Sequence, residues 1–217
     1  MGNELRAKTL KSSNPNFLFL ISYLQPMHIE YEATFTKINK DQMRQKLKKI
    51  GAKLIKPEFL MKRVVFHPPK QIKNGWMRVR DEGDKITMSL KIIMGSKITD
   101  QKEIELIIDD LENGCNFLEA IGARQKSYQE TKRELWRLDN CEITIDTWPG
   151  LKPFVEIEGK SENGVKKVAK KLGFNWQDAY FGATDEIYER ELGIPMNVIN
   201  NETPEITFKN PPKKYKK

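Results

Sequence analysis

Apolar and polar residues alternate over most of this chain, and the alternation predicts β-strands. From residue 28 onward, eight segments carry apolar residues at every second position and end at turn-forming residues. Turns such as Asp139-Asn140 are short enough to join neighbouring strands as antiparallel hairpins. The predicted strands span residues 28–36, 59–67, 76–81, 85–93, 102–108, 127–138, 142–147 and 154–159.

Three other segments repeat apolar residues every three or four positions, which predicts helices. They span 40–50, 111–121 and 161–172, and each is followed by a glycine, the residue that most often ends a helix. A weaker helix is predicted at 185–192. Eight strands with few helices predict an α+β fold with the helices packed outside: either an eight-stranded antiparallel β-barrel, because closure removes exposed sheet edges, or a strongly curved sheet.

Composition narrows the class of protein. With 217 residues, 38% of them hydrophobic, the chain can bury a core. Two cysteines and two histidines are too few for a disulfide framework or a Cys/His zinc site, which predicts a cytoplasmic protein. The longest apolar segment, residues 17–24, is far shorter than the roughly 20 residues that a membrane helix needs. We therefore expect no membrane association.

The net charge of +8 suggests a polyanionic partner, but most of the excess lies at the two ends of the chain. Residues 1–26 and 205–217 contribute six of these charges, and the rest is nearly neutral. We predict a flexible leader at 1–26, one domain at 27–194 and a basic, disordered tail at 195–217. For nucleic acid, only weak attraction to this tail is expected.

Charged residues stand in pairs two positions apart on the predicted strands. Glu30 and Glu32 share one face of their strand, while Ile29, Tyr31 and Ala33 occupy the other. The same spacing recurs in three further pairs: Arg78 and Arg80, Glu103 and Glu105, Glu156 and Glu158. Each pair by itself is typical of the solvated face of a sheet, whereas four pairs suggest a charged inner lining.

A charged lining is costly to desolvate unless water, metal or ligand fills it. Clustered carboxylates suit a hard divalent cation such as Mg²⁺ or Mn²⁺, and clustered Arg and Lys suit phosphate oxygens. The pattern therefore predicts a site for a metal and a polyphosphate, which is what phosphoryl transfer requires.

The order of these residues resembles the CYTH superfamily over residues 28–192. This superfamily comprises the triphosphate tunnel metalloenzymes: class IV adenylate cyclases, thiamine triphosphatases and inorganic triphosphatases. The motifs that carry the resemblance are Glu30-Tyr31-Glu32, Arg78-Val79-Arg80, Lys91, Glu103-Ile104-Glu105, Arg133-Glu134, Asp146 and Glu156-Ile157-Glu158-Gly159.

The resemblance implies an eight-stranded antiparallel β-barrel that forms a tunnel, and it implies a role for each of these residues. Glu30, Glu32, Glu156 and Glu158 would hold Mg²⁺ or Mn²⁺, with Asp146 assisting. Glu103 and Glu105 would complete a second metal site or orient the basic residues. The triphosphate would be bound by Arg78, Arg80, Lys91 and Arg133, and the catalytic set would comprise these four together with Glu30 and Glu32.

The chain departs from the family pattern at two lysine positions. Thr34 stands where the opening Glu-x-Glu-x-Lys motif has its lysine, and Thr131 replaces a frequent lysine two positions before Arg133. A threonine supplies no positive charge to a phosphate. The residues that we expect to restore the charge are Lys62 or Arg63, Lys102, and Lys132 if a bulge turns it inward.

The leading hypothesis is a metal-dependent phosphohydrolase that acts on inorganic triphosphate, thiamine triphosphate or a nucleotide. The first alternative is a class IV adenylate cyclase that makes cyclic AMP from ATP. The second is a non-catalytic binder of a triphosphate or nucleotide, which the two threonines motivate. Sequence alone leaves these three open, and it also leaves open the oligomeric state, for which a homodimer is one candidate.

Overall fold

The computed structural model of the protein describes residues 27–215, and the leader predicted at 1–26 lies outside them. Ten strands form one sheet, against eight predicted. The strands are β1 (His28–Ile29), β2 (Tyr31–Phe35), β3 (Lys53–His67), β4 (Gly75–Asp81), β5 (Ile86–Ile93), β6 (Gln101–Ile108), β7 (Arg124–Leu138), β8 (Cys141–Thr147), β9 (Phe154–Gly159) and β10 (Glu205–Ile206).

The sheet curves into a nearly closed barrel. Nine strands follow the order β1-β6-β5-β4-β3-β7-β8-β9-β2, with antiparallel pairing at every step. The two edge strands, β1 and β2, are separated in the chain only by Glu30, whose amide donates to the Gln101 carbonyl at 3.0 Å. The segment predicted as one strand at 28–36 is therefore two strands, and Glu30 lies where the chain passes between the sheet edges.

Five helices accompany the sheet in the described residues. Asn39, Asp110 and Ser161 each cap the first turn of a helix by accepting a backbone hydrogen bond, as their short polar side chains favour. The helices are α1 (Lys40–Lys49), α2 (Leu111–Ala120), α3 (Glu162–Lys171), α4 (Thr184–Leu192) and α5 (Met196–Asn201).

The apolar core lies outside the barrel, between the strands and the helices. Leu47 of α1 and Val168 of α3 are fully buried with Ile143 of β8. On another side, Leu118 of α2 is buried with Val79 of β4. Because alternate residues of a strand point to opposite faces, this outer packing leaves the charged residues on the inner face.

The prediction of a disordered tail at 195–217 is wrong for the residues that the structure describes. Residues 196–201 form α5, and β10 pairs in parallel with β7 at Tyr128 and Gln129. Ile199 and Ile206 are 4% and 2% exposed. This burial orders a segment whose prolines and lysines are typical of disorder. Within residues 27–215, no helix has the length and apolar character that crossing a membrane demands.

Candidate triphosphate and metal site

The barrel encloses a cavity of about 1400 Å³ lined mainly by charged side chains. It contains the four predicted cations Arg78, Arg80, Lys91 and Arg133, and six of the seven predicted carboxylates: Glu30, Glu32, Glu103, Glu105, Glu156 and Glu158. The alternating pairs thus converge on one inner surface.

The four cations each contact a carboxylate. Arg78 lies 3.0 Å from Glu103 and Arg80 lies 3.1 Å from Glu105, each across β5. Arg80 also contacts Glu82, a residue of the β4–β5 turn that was not among the predicted site residues, at 2.6 Å. No periodic signal marked Glu82, because turn residues have no fixed face.

Lys91 lies among acidic residues at the junction of β1 and β2. Its ammonium is 2.7 Å from a Glu30 oxygen and 3.5 Å from a Glu32 oxygen. Burial opposes the charge of Lys91, but Glu32, Glu30 and Glu103 outweigh burial and raise its pKa. Lys91 therefore stays protonated at neutral pH.

Three carboxylates form the group best suited to a metal ion. Oxygens of Glu30, Glu32 and Glu158 lie within 4.8 Å of one another. Burial raises the pKa of Glu30 to about 9, against the attraction of Lys91, and burial with the nearby Glu32 raises that of Glu158 to about 7. The positive charge near Glu30 and Glu158 is too small to offset the effect of burial on their carboxylates. A divalent cation, which prefers oxygen ligands, would supply more positive charge.

The other four predicted metal ligands are occupied by guanidinium groups. Arg133 makes two bonds of 2.7 Å to Asp146 and one of 2.6 Å to Glu156. Asp146 is fully buried and also accepts from Thr144 at 2.8 Å. The oxygens of Asp146 thus hold Arg133 and Thr144, and Asp146 does not line the cavity, so its assistance to a metal stays a prediction.

Glu103 and Glu105 likewise contact arginines, Arg78 and Arg80 respectively. Burial by itself would raise the pKa of Glu103. The charge of Arg78 and the hydrogen bonds of Glu103 outweigh burial and lower that pKa to about 2. This arrangement corresponds to the second of the two roles predicted for this pair, in which the carboxylates orient the basic residues.

Arg63 differs from the other arginines of the cavity. The residue is 5% exposed, and its guanidinium donates to the Thr131 hydroxyl and lies 4.9 Å from the Trp148 ring. Its Nε has no hydrogen-bond partner, and no carboxylate of residues 27–215 forms an ion pair with it. Burial and the charges of Arg80, Arg78 and Arg133 lower its pKa.

Some of the residues that were expected to restore the positive charge missing at Thr34 and Thr131 lie in the cavity, and others lie outside it. Arg63 lies in the cavity against Thr131, whereas Lys62 and Lys132 are exposed on the outer side. Lys132 pairs with Thr147 in an unbroken register, so no bulge turns it inward, and its ammonium lies over Phe208. The prediction that Lys62 and Lys132 bind the triphosphate is therefore wrong, because strand alternation directs them outward.

Comparison with known proteins identifies the family of this chain. The family model for the CYTH domain matches residues 28–182. The chain belongs to the CYTH family. This CYTH chain is 28% identical over 148 residues, 66% of its length, to the Methanocaldococcus jannaschii protein named "Putative adenylate cyclase MJ0240", of which the match covers 83%.

Two solved structures share the CYTH fold with this chain. The PH1012 protein of Pyrococcus horikoshii OT3 is 22% identical with a TM-score of 0.62, covering 71% of this chain and 96% of that one. A Vibrio parahaemolyticus protein described as "a putative adenylate cyclase" is 14% identical with a TM-score of 0.63, covering 76% and 99%. The predicted antiparallel tunnel with outer helices is thereby confirmed.

Proposed function

We propose that this CYTH protein is a divalent-metal-dependent triphosphatase that hydrolyses a triphosphate-bearing small molecule inside the tunnel. The observation that carries the proposal is one cavity that holds both Arg63, a buried cation with no carboxylate ion pair among residues 27–215, and a group of three carboxylates whose oxygens lie within 4.8 Å of one another. A buried guanidinium repelled by three others is unfavourable by itself. A bound polyanion relieves that repulsion.

The proposed roles follow from the contacts. Glu30, Glu32 and Glu158 would hold Mg²⁺ or Mn²⁺, which when bound neutralises phosphate charge and lowers the pKa of water. Five cations would donate hydrogen bonds to the phosphoryl oxygens, where charge increases in the transition state: Arg63, Arg78, Arg80, Lys91 and Arg133.

The acidic partners keep the arginines in position. Asp146 and Glu156 hold Arg133 from two sides, while Glu103 holds Arg78. Preorganised donors of this kind need little rearrangement as the reaction proceeds. In the hydrolysis, a water oxygen bonds to the terminal phosphorus, the bridging P–O bond breaks and diphosphate or its ester leaves.

Two alternatives remain as outcomes of the test. Adenylate cyclase activity is supported by the name of the Methanocaldococcus jannaschii relative. Binding without turnover is supported by Thr34 and Thr131 at the two lysine positions. Thr34 is 3% exposed and its backbone pairs with Tyr180, so it offers no charge to the cavity.

The products formed from ATP with Mn²⁺ distinguish the three functions. Hydrolysis releases orthophosphate and ADP, cyclisation releases pyrophosphate and cyclic AMP, and a binder releases neither. Metal-dependent orthophosphate supports the proposal. Pyrophosphate with cyclic AMP, or binding of both ATP and inorganic triphosphate in calorimetry without any product from either, would overturn it.

A further inference from the structure

Strand β6 borders a gap in the barrel, because only part of its second edge is paired. On one side, β6 pairs with β5 along its whole length. On the other side, it pairs only with the two residues of β1, which meet Lys102 and Glu103. Among residues 27–215, no strand pairs with residues 104–108 on that side. We call residues 104–108 the open edge of β6.

Backbone hydrogen bonds show which groups of the open edge point away from β5. In an antiparallel pair, the N–H and C=O of one residue point to the same side, and successive residues alternate between the two sides. The Gln101 carbonyl accepts from the Glu30 amide, on the side away from β5. Because the register with β5 is unbroken from 101 to 108, the N–H and C=O of Glu105 and Ile107 point to that side too. Within residues 27–215 these four groups have no hydrogen-bond partner.

Most side chains of the open edge are apolar, and three of these are exposed. Ile104, Leu106 and Ile107 are 42%, 52% and 74% exposed. Ile104 and Leu106 lie on the outer face of the sheet, because Glu105 between them lines the cavity. Natural proteins often protect a strand edge with proline or lysine, and residues 104–108 contain neither. The open edge therefore presents unpaired backbone groups and apolar side chains to a partner strand.

The chain segment that precedes β1 is poorly suited to cover this edge. β1 pairs with β6 in a register that places His28 opposite Glu103. If β1 continued backwards in that register, Pro26 would stand opposite Glu105. Proline has no N–H, so it could not donate to the outward carbonyl of Glu105. A strand from another source can satisfy the open edge better.

A second copy of the chain offers a complementary edge. Two copies of β6 can pair antiparallel about a twofold axis, so that the same residues meet reciprocally. With Leu106 on the axis, Glu105 of one copy lies opposite Ile107 of the other, and each such pair exchanges two backbone hydrogen bonds. This register uses all four outward groups of each copy. A register centred on Glu105 would place two like charges opposite each other, which is unfavourable.

The charges at the two ends of β6 agree with an antiparallel partner. Lys102, which was expected to restore charge at the phosphate site, is exposed and does not line the cavity. Asp109 and Asp110 are exposed just beyond the other end of the strand. Antiparallel pairing brings the lysine of one copy towards the aspartates of the other, twice in each dimer. Opposite charges at the two ends thus make this edge complementary to itself.

We propose that β6 is a dimerisation strand: two copies of this chain pair through their open edges, with Leu106 on the twofold axis. The sheet of one barrel then continues into the sheet of the other. The interface forms part of the tunnel wall, because the carboxylate of Glu105 contacts Arg80 inside the cavity. The inference does not depend on which reaction the tunnel performs.

Sedimentation equilibrium of the full chain tests the inference, and we expect a species of twice the chain mass. Ile107→Pro removes an outward N–H that β5 does not use. It should raise the dimer Kd at least about tenfold, because each dimer loses two hydrogen bonds. Ile107→Ala keeps the N–H and is the matched control, with a Kd within about threefold of the unmodified chain. Circular dichroism reports whether the proline variant is folded.

Two outcomes of this experiment would overturn the inference. The first is an unmodified chain that stays monomeric at every concentration, which would leave the edge to another occupant such as the apolar segment 17–24. The second is a folded proline variant that dimerises as tightly as the unmodified chain, which would place the interface elsewhere.

A cysteine on the proposed axis tests the register. Directly opposite residues of a non-hydrogen-bonded antiparallel pair have Cα atoms about 4.5 Å apart, which a disulfide can bridge. Leu106→Cys should therefore give a covalent dimer on oxidation, seen in a denaturing gel without reductant. Leu54→Cys, at a leucine of similar exposure (47%) at the start of β3, is the matched control and should stay monomeric. Equal crosslinking of the two variants would contradict the inference.

Discussion

At the residue scale, the burial of the Arg63 charge is energetically unfavourable, and phosphate binding is the role that we propose for this residue. It is buried among three other arginines, and its hydrogen bond to Thr131 does not neutralise its charge. Thr131 stands at the position of a family lysine, so Arg63 brings a positive charge from the neighbouring strand β3 to that place. We propose that Arg63 takes the place of the missing lysine in binding phosphate.

Replacing Arg63 by methionine should separate stability from binding. Removing an unpaired buried charge should leave the free energy of unfolding unchanged or raise it by about 1–3 kcal/mol. The Kd for inorganic triphosphate should rise at least about tenfold. Urea unfolding and calorimetry measure the two effects, and Arg63→Lys should retain part of the affinity. A less stable variant with unchanged affinity would contradict the proposed role.

Asp146 is a structural residue by its contacts, and its stabilising effect depends on pH. Burial alone would raise its pKa, but Arg133 outweighs burial and lowers it below 3.8. Because the pKa of Asp146 is lower in the folded state than in the unfolded state, the stabilisation by Asp146 is complete at pH values above the unfolded-state pKa. It is lost as the pH falls through the folded value.

Asp146→Asn should therefore lower the free energy of unfolding at pH 7 by about 3 kcal/mol, because Arg133 loses its bidentate partner. The difference from the unmodified chain should shrink as the pH falls below 3.8. Asp139→Asn, which breaks the exposed pair with Lys171, is the control and should cost less than about 1 kcal/mol. Equal costs in the two variants would contradict the account.

At the element scale, the sequence predicted most strands, and its errors have physical causes. β3 begins at Lys53, six residues before the prediction, because register shifts around Lys56 and Phe59 break the alternation near Pro57. The three helices predicted at 40–50, 111–121 and 161–172 were confirmed, and the glycines that follow them, Gly51, Gly122 and Gly173, have φ of 81°, 93° and 80°. The end of a helix at a glycine depends on residues that are close in sequence, so it can be predicted without knowledge of distant contacts.

The C-terminal elements were missed because their order comes from distant contacts. β10 has only two residues and pairs with β7, which lies about 75 positions earlier in the chain. A strand of two residues is too short to show an alternating pattern of apolar residues, so the local sequence does not predict it. The lysines and prolines around it indicate disorder when they are considered alone.

Ile206 tests whether this segment folds together with the barrel. It is 2% exposed and packs with Phe154 of β9 and Tyr188 of α4. Ile206→Ala should lower the free energy of unfolding by about 2–4 kcal/mol if the segment is part of one cooperative unit. Ile107→Ala, at a residue 74% exposed, should change it by less than about 0.5 kcal/mol. Similar small effects in urea unfolding would show that the segment folds separately.

At the scale of the whole molecule, the period of two along each strand predicted which charges face the tunnel. It could not predict their partners, because these depend on the register between strands. Arg133, Asp146 and Glu156 meet across β7, β8 and β9, and this contact converts two predicted metal ligands into supports for an arginine. The remaining carboxylates, Glu30, Glu32 and Glu158, form the proposed metal site.

The central claim is that these carboxylates and the tunnel cations together hydrolyse a triphosphate. The measurement that tests it most directly is orthophosphate release from inorganic triphosphate and ATP with Mg²⁺ or Mn²⁺. The unmodified chain is compared with the double variant Glu30→Gln/Glu32→Gln. The matched control, Glu112→Gln/Glu119→Gln, removes the same charge from the exposed side of α2.

We predict metal-dependent release by the unmodified chain and by the control. The tunnel variant should be slower by at least about a hundredfold, because loss of electrostatic stabilisation at a phosphoryl group has effects of that size. Release that is equal in all three proteins, or absent from the unmodified chain with every substrate and metal, would contradict the claim.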